Sequence, residues 1–194
     1  MMVHCMSNKT ILIVDDSEFD RNLIKLALTR KGGFDIIEAT SGEHCLEMLV
    51  SNSIDLILMD IMMPGILGSQ VLLHIRQIYS PIELPIIMIS SISDVSEIVN
   101  ALKDGANDYI TKPLNFDVTT SRILTHLKLV ELSLEMSKLK QAAATELLAN
   151  VSAEDFFSPL DAAIDILGKS DSELIANRGK FKDYLLQIKS ITKK

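Results

Sequence analysis

Tryptophan is absent from this 194-residue chain, aromatic residues make up only 5% of it, and it has two cysteines, five prolines and eight glycines. Each scarcity excludes something. Cys5 and Cys45 form no disulfide framework and no metal-ligand spacing, and so predict reduced thiols in a cytosol-like compartment. Proline and glycine are too sparse for a collagenous or low-complexity chain. No apolar run reaches the roughly 18 residues of a membrane span, and the opening stretch MMVHCMSNKT lacks the apolar core of a signal peptide. The expectation is a cytoplasmic protein without membrane contact.

Positive charge is also short. Residues 1–113 hold 8 Lys and Arg against 15 Asp and Glu, while residues 114–194 hold 11 of each. An acidic domain is a poor ligand for nucleic-acid phosphates, and the balanced remainder carries no strong basic stripe. The late lysines, at 180, 182, 189, 193 and 194, read as a solvated helix face. DNA is therefore not an expected partner.

What the chain does have is apolar residues, at 47%, enough for one buried domain plus an appendage or for two small domains. Over the first 113 residues their period alternates. TILIVDD (10–16), FDIIEAT (34–40), IDLILMD (54–60), LPIIMIS (84–90) and DYIT (108–111) read as strands. Between them lie helical patterns marked by Phe19, Leu23, Leu26 and Ala27, by Cys45, Leu46, Leu49 and Val50, by Val71, Leu72 and Ile75, and by Val95, Ile98, Val99 and Leu102. Gly32-Gly33 and Gly105 supply stops, and Ser41 or Gly42 opens the second helix. Strands that are mostly apolar throughout, alternating with helices, predict an α/β fold with a parallel sheet covered on both faces. Ligands of such sheets sit outside the carboxyl ends of the strands.

At those ends stand Asp15 and Asp16, Asp60, Ser90 and Lys112. Clustered carboxylates raise one another's pKa unless a cation intervenes, and an open set of oxygen ligands suits Mg2+. A carboxylate nucleophile, a divalent ion, a hydroxyl and an ammonium together suit the receipt of a phosphoryl group, whose charge is spread over three oxygens. Paired acids after a strand often only cap a helix, and Lys-Pro is common in loops. Their joint placement on the strand ends is what favours the functional reading.

These pieces carry a resemblance. ILIVDDS (11–17), LILMDIMMPG (56–65), PIIMISS (85–91) and GANDYITKP (105–113) resemble the receiver domain of bacterial response regulators over residues 9–130. The resemblance implies a flavodoxin-like five-stranded parallel sheet of order 2-1-3-4-5, a topology the family itself exemplifies. It implies Asp60 as phosphoacceptor, with Mg2+ held by Asp15, Asp16, Asp60 and the backbone carbonyl of Met62. Ser90 corresponds to the switch hydroxyl, Tyr109 to the aromatic that moves inward with it, and Lys112 to the salt-bridging lysine. Lys112-Pro113 corresponds to a cis peptide, and Ser91 is small, as the family requires beside the acceptor. The implied partner is a histidine kinase or phosphotransfer protein. No enzyme beyond self-catalysed phosphoryl transfer and loss is expected. There is no GxGxxG, no GxxxxGK[ST], and no second Asp two residues after Asp60 for general acid work.

From Phe116 onward one long helix is predicted, with Leu127, Leu134, Gln141 and Leu148 recurring every seventh residue and Val130, Ser137, Ala144 and Val151 between them. Such a helix could pack only on its own domain, but its length favours a self-pairing or signal-transmitting helix, and a homodimer through the C-terminal helices is expected. Residues 131–194 thus read as a helical extension, a coiled-coil linker followed by a helical hairpin. ELLANVSAEDFFSPLDAAIDIL (146–167) and DYLLQIKSI (183–191) resemble the dimerisation hairpin of histidine kinases, with Ala153 or Glu154 where the phosphorylatable histidine would stand. The four histidines are His4, His44, His74 and His126, so this tail has no imidazole nucleophile. Two outputs are compatible with it: a phosphorylation-controlled dimerisation or interaction module, or a scaffold whose tail mimics a kinase hairpin and binds a kinase directly.

Overall fold

A computed structural model describes residues 8–150, with side chains through Glu146. Ten elements alternate along the chain: β1 (Lys9–Val14), α1 (Glu18–Lys31), β2 (Phe34–Ala39), α2 (Gly42–Ser51), β3 (Leu56–Asp60), α3 (Gly68–Arg76), β4 (Ile86–Ser90), α4 (Val95–Lys103), β5 (Asp108–Thr111) and α5 (Phe116–Asn150). The five strands form one sheet in the order β2-β1-β3-β4-β5, and every neighbouring pair is parallel. This is the expected flavodoxin-like topology, with the long final helix present. Contacts divide the chain into two units, up to Ser133 and from Leu134. The first contains the sheet.

The apolar strands are explained by burial on both sides. Leu12, Val14, Ile57, Met59, Ile86 and Met88 face one core, while Ile11, Ile13, Leu56, Leu58, Ile87 and Ile89 face the other. Successive side chains of a strand point to opposite faces, so a central strand with a core on each side is apolar along its length, with polar residues left to its carboxyl end, as at Asp60 and Ser90. β3 and β4 are buried at all five residues.

Two helices turn differently from the sequence expectation. In α1 the marked residues Phe19, Leu23 and Leu26 are exposed, and Arg21, Ile24 and Leu28 are buried instead. Apolar residues occupy more than half of that helix's circumference, so spacing alone does not choose the buried row. In α4, Val95, Val99 and Leu102 are exposed, and Ala101 is the buried position. Val50, marked on α2, is exposed too.

On α5, Ile123 and Leu127 are buried in the domain's own core and Val130 is half-buried. Leu127, expected in an intermolecular seam, is thus committed within its own unit. No helix among the described residues is long and apolar enough to cross a membrane. From residue 151 onward, the segments expected to resemble a kinase hairpin lie outside the described residues.

Candidate functional site

Strand register sets the level of each acid. Val14 is paired with Met59, so the next residues, Asp15 and Asp60, emerge side by side. Ser90 pairs with Thr111, which places Lys112 just beyond it. Asp15, Asp16 and Asp60 each offer an oxygen, and these oxygens lie within 4.8 Å of one another. Asp15 and Asp60 are buried, whereas Asp16 is exposed.

The Lys112 ammonium sits among the acids, 2.6 Å from Asp60 Oδ2, 2.9 Å from Asp15 Oδ2 and 2.7 Å from Asp20 Oδ2. The other oxygens of the buried pair are held by backbone: Ser17 N–H donates to Asp15 Oδ1 at 2.8 Å and Met62 N–H to Asp60 Oδ1 at 3.0 Å. Both carboxylates are thereby fixed in orientation. Burial, together with the nearby Asp60 charge, raises the Asp15 pKa above the usual carboxylate value, against the lowering effect of Lys112 and the Ser17 N–H. Burial alone would lower the Lys112 pKa, but the bonds to Asp20, Asp60 and Asp15 outweigh it and hold the ammonium firmly protonated. One lysine against four acids leaves a surplus of negative charge. Such an all-oxygen set fits a hard divalent cation.

Ser90 is fully buried, and its Oγ accepts from Ile92 N–H at 3.0 Å. Tyr109 is 8% exposed, pointing inward, and its hydroxyl donates to the Ile92 carbonyl at 2.9 Å. The Lys112–Pro113 peptide is cis. The sequence-selected residues Asp15, Asp16, Asp60 and Lys112 therefore come together, and Ser90 and Tyr109 meet at the adjacent loop.

Two contributors escaped the sequence reading. Asp20 lies in the first turn of α1, which starts directly beyond the β1 carboxyl end, so a first-turn acid faces the site. Arg21, which is buried, donates to the Asp15 carbonyl at 2.8 Å and to Glu38 Oε2 at 3.3 Å, anchoring the acid loop to β2. Nothing local in the sequence pairs it with Glu38, which stands 17 residues further along the chain. Beside Lys112 opens a groove of about 460 Å3, lined by Phe19, Leu23, Pro113, Leu114 and Phe116 among others.

A family model described as the response regulator receiver domain matches residues 11–124, more than half of the chain. The chain belongs to the response regulator receiver family. This receiver is 37% identical over 132 residues to the transcriptional regulatory protein YvrH of Bacillus subtilis, covering 68% of this chain and 54% of that one. It is 34% identical over 178 residues to the transcriptional regulatory protein ZraR of Klebsiella oxytoca, covering 86% of this chain and 39% of that one. The chain spans about half the length of the first such relatives. Among solved structures, a CheY-like receiver domain protein from Methanospirillum hungatei superposes with a TM-score of 0.61 at 28% identity, covering 66% of this receiver's chain and 99% of that one.

Proposed function

We propose that this chain is a phosphoacceptor response regulator in which a partner histidine kinase or phosphotransfer protein phosphorylates Asp60. The observation that supports this most strongly is the Asp60 carboxylate fixed between Lys112 and the Met62 N–H, with Asp15 and Asp16 alongside. An Asp60 oxygen attacks the phosphorus of a phosphohistidine; the P–O bond forms, the P–N bond breaks, and the departing imidazole takes up a proton. Mg2+ held by Asp15, Asp16, Asp60 and the Met62 carbonyl would supply charge stabilisation at the phosphoryl oxygens.

Lys112 turns one N–H from Asp60 to a phosphoryl oxygen. Ser90, whose Oγ now only accepts from Ile92, still has its own proton to donate. Its movement toward the phosphoryl group draws the Ile92 loop, while Tyr109, already turned inward, keeps its hydroxyl on the Ile92 carbonyl. Hydrolysis of the acyl phosphate returns Asp60 and inorganic phosphate. The apolar groove beside Lys112 suits the docking of a donor protein near the acceptor.

The output, in this reading, is protein contact through the helical extension (131–194) that follows the receiver (9–130), in a homodimer. On α5, Leu129, Leu132, Met136 and Leu139 are all exposed at alternating three- and four-residue spacing. Glu135 and Lys140, five residues apart and flanking that row, suit a parallel pair in which each reaches the other copy. The curated relatives are named transcriptional regulators, but residues 114–194 of this chain carry 11 basic and 11 acidic residues, a balance that favours protein contact over DNA in this reading.

Acetyl phosphate with Mg2+ should label the parent protein and leave Asp60→Asn unlabelled; retained labelling would move the acceptor elsewhere. Light scattering with and without beryllofluoride tests the output, and a monomer under both conditions would sink the dimer.

A further inference from the structure

The Lys112 ammonium has three N–H donors, and each has a carboxylate partner: Asp60, Asp15 and Asp20. Asp60 and Asp15 belong to the oxygen cluster that fits a metal, whereas Asp20 does not. Asp20 is on α1 rather than on a strand end, its side chain is 31% exposed, and its own N–H is tied to Ser17 Oγ at 3.3 Å. It therefore contributes a fixed negative charge on the solvent side of Lys112 and takes a share of the only ammonium at the site among the described residues.

We infer that Asp20 is a positioning residue for phosphoryl transfer, holding the Lys112 ammonium toward α1 and so restraining its turn toward an arriving phosphoryl group. This inference rests on Asp60 being the acceptor. Two effects of opposite sign follow from one charge. Asp20 opposes the approach of a dianionic phosphoryl donor, both by repulsion and by retaining Lys112. It also deepens the negative potential that draws a divalent cation to Asp15, Asp16 and Asp60.

The test uses the full chain with Asp20→Asn, which keeps the side-chain shape, and Asp20→Glu, which keeps the charge. In Asp20→Asn, labelling by acetyl phosphate at saturating Mg2+ should be about fivefold faster, while the Mg2+ dissociation constant, measured by calorimetry without a donor, should rise about fivefold. Asp20→Glu should restore both toward the parent. A merely structural role would slow labelling and weaken the metal together, and that same-direction result overturns the inference. So does an Asp20→Asn protein with parent-like rate and Mg2+ affinity while Asp60 remains the labelled residue. Labelling that survives Asp60→Asn overturns the acceptor reading instead, which separates the two failures.

Discussion

The hydroxyl of Tyr109 donates to the carbonyl oxygen of Ile92 at 2.9 Å, and the N–H of the same Ile92 donates to Ser90 Oγ at 3.0 Å. One residue of the loop after β4 is thus gripped by both side chains singled out as a switch. A hydrogen bond of this kind contributes about 1 kcal/mol net. Tyr109→Phe should therefore speed amide hydrogen exchange over residues 91–94 by about fivefold, with the sheet amides unchanged. Ser90→Ala should act most strongly at the Ile92 amide. Parent-like exchange in both variants would show that the loop is held by something else.

Gly68 has no room for a side chain. A Cβ there would lie 2.0 Å from the Asp60 carbonyl oxygen and 3.1 Å from Ile61 Cα, both backbone atoms of the strand end that presents Asp60, the proposed acceptor. Neither can rotate away. Gly68→Ala should cost about 1–3 kcal/mol or more, as overpacking of a well-filled site does, and should slow Asp60 labelling even where the protein stays folded. Thermal melting and acetyl phosphate labelling of one preparation check both effects, and a variant with parent-like values in each would contradict the close approach.

Acid should loosen the β5–α5 contact. Burial would raise the Asp108 pKa, but bonds from Arg122, the Tyr109 N–H and His126 outweigh it, so the folded value lies below the ordinary 3.8. A carboxyl group with a depressed folded pKa contributes stability that is fully present above its unfolded value and is lost as pH falls through the folded one. Arg122→Gln should therefore destabilise the protein above about pH 4 and matter progressively less below it. Urea melts of parent and variant at pH 3 to 7 read this directly; a gap between them that widens toward low pH would reverse the sign.

Cys45 should be inert in the folded protein. Its thiol is fully buried, and burial pushes its pKa up to about 12, so almost no thiolate exists at neutral pH. In a Cys5→Ser background, modification by a thiol reagent should proceed at the rate of opening rather than of chemistry, and should become rapid in denaturant. Fast labelling of the native form would mean that α2 opens readily.

The strands and the acids at their ends were legible because each depends on its neighbours in sequence. LILMD can be recognised as a doubly covered strand from five residues, and the two-face burial of β3 follows from that pattern. The helix faces were less legible: the marked residues of α1 point outward because Ile24 and Leu28, one position along, are buried. Arg21 ran against expectation for a different reason. A buried guanidinium is tolerable only with partners, and these are the Asp15 carbonyl and Glu38, the latter on another strand. Asp20 was hidden in the same way, since its partner Lys112 stands 92 residues further along the chain.

That separation has a consequence for synthesis. The three acids bound by Lys112 are all in place within the first 60 residues, but the only cation that gathers them among the described residues arrives with the end of β5. Contacts that span so much of the chain form late, since the loop must close before the contact can stabilise it. A growing chain would thus display the Asp60 carboxylate well before Lys112 could hold it. If Asp60 is the acceptor, as proposed, competence to take a phosphoryl group would be a property of the finished domain, and half-made copies emerging from the ribosome would be silent to a phosphoryl donor.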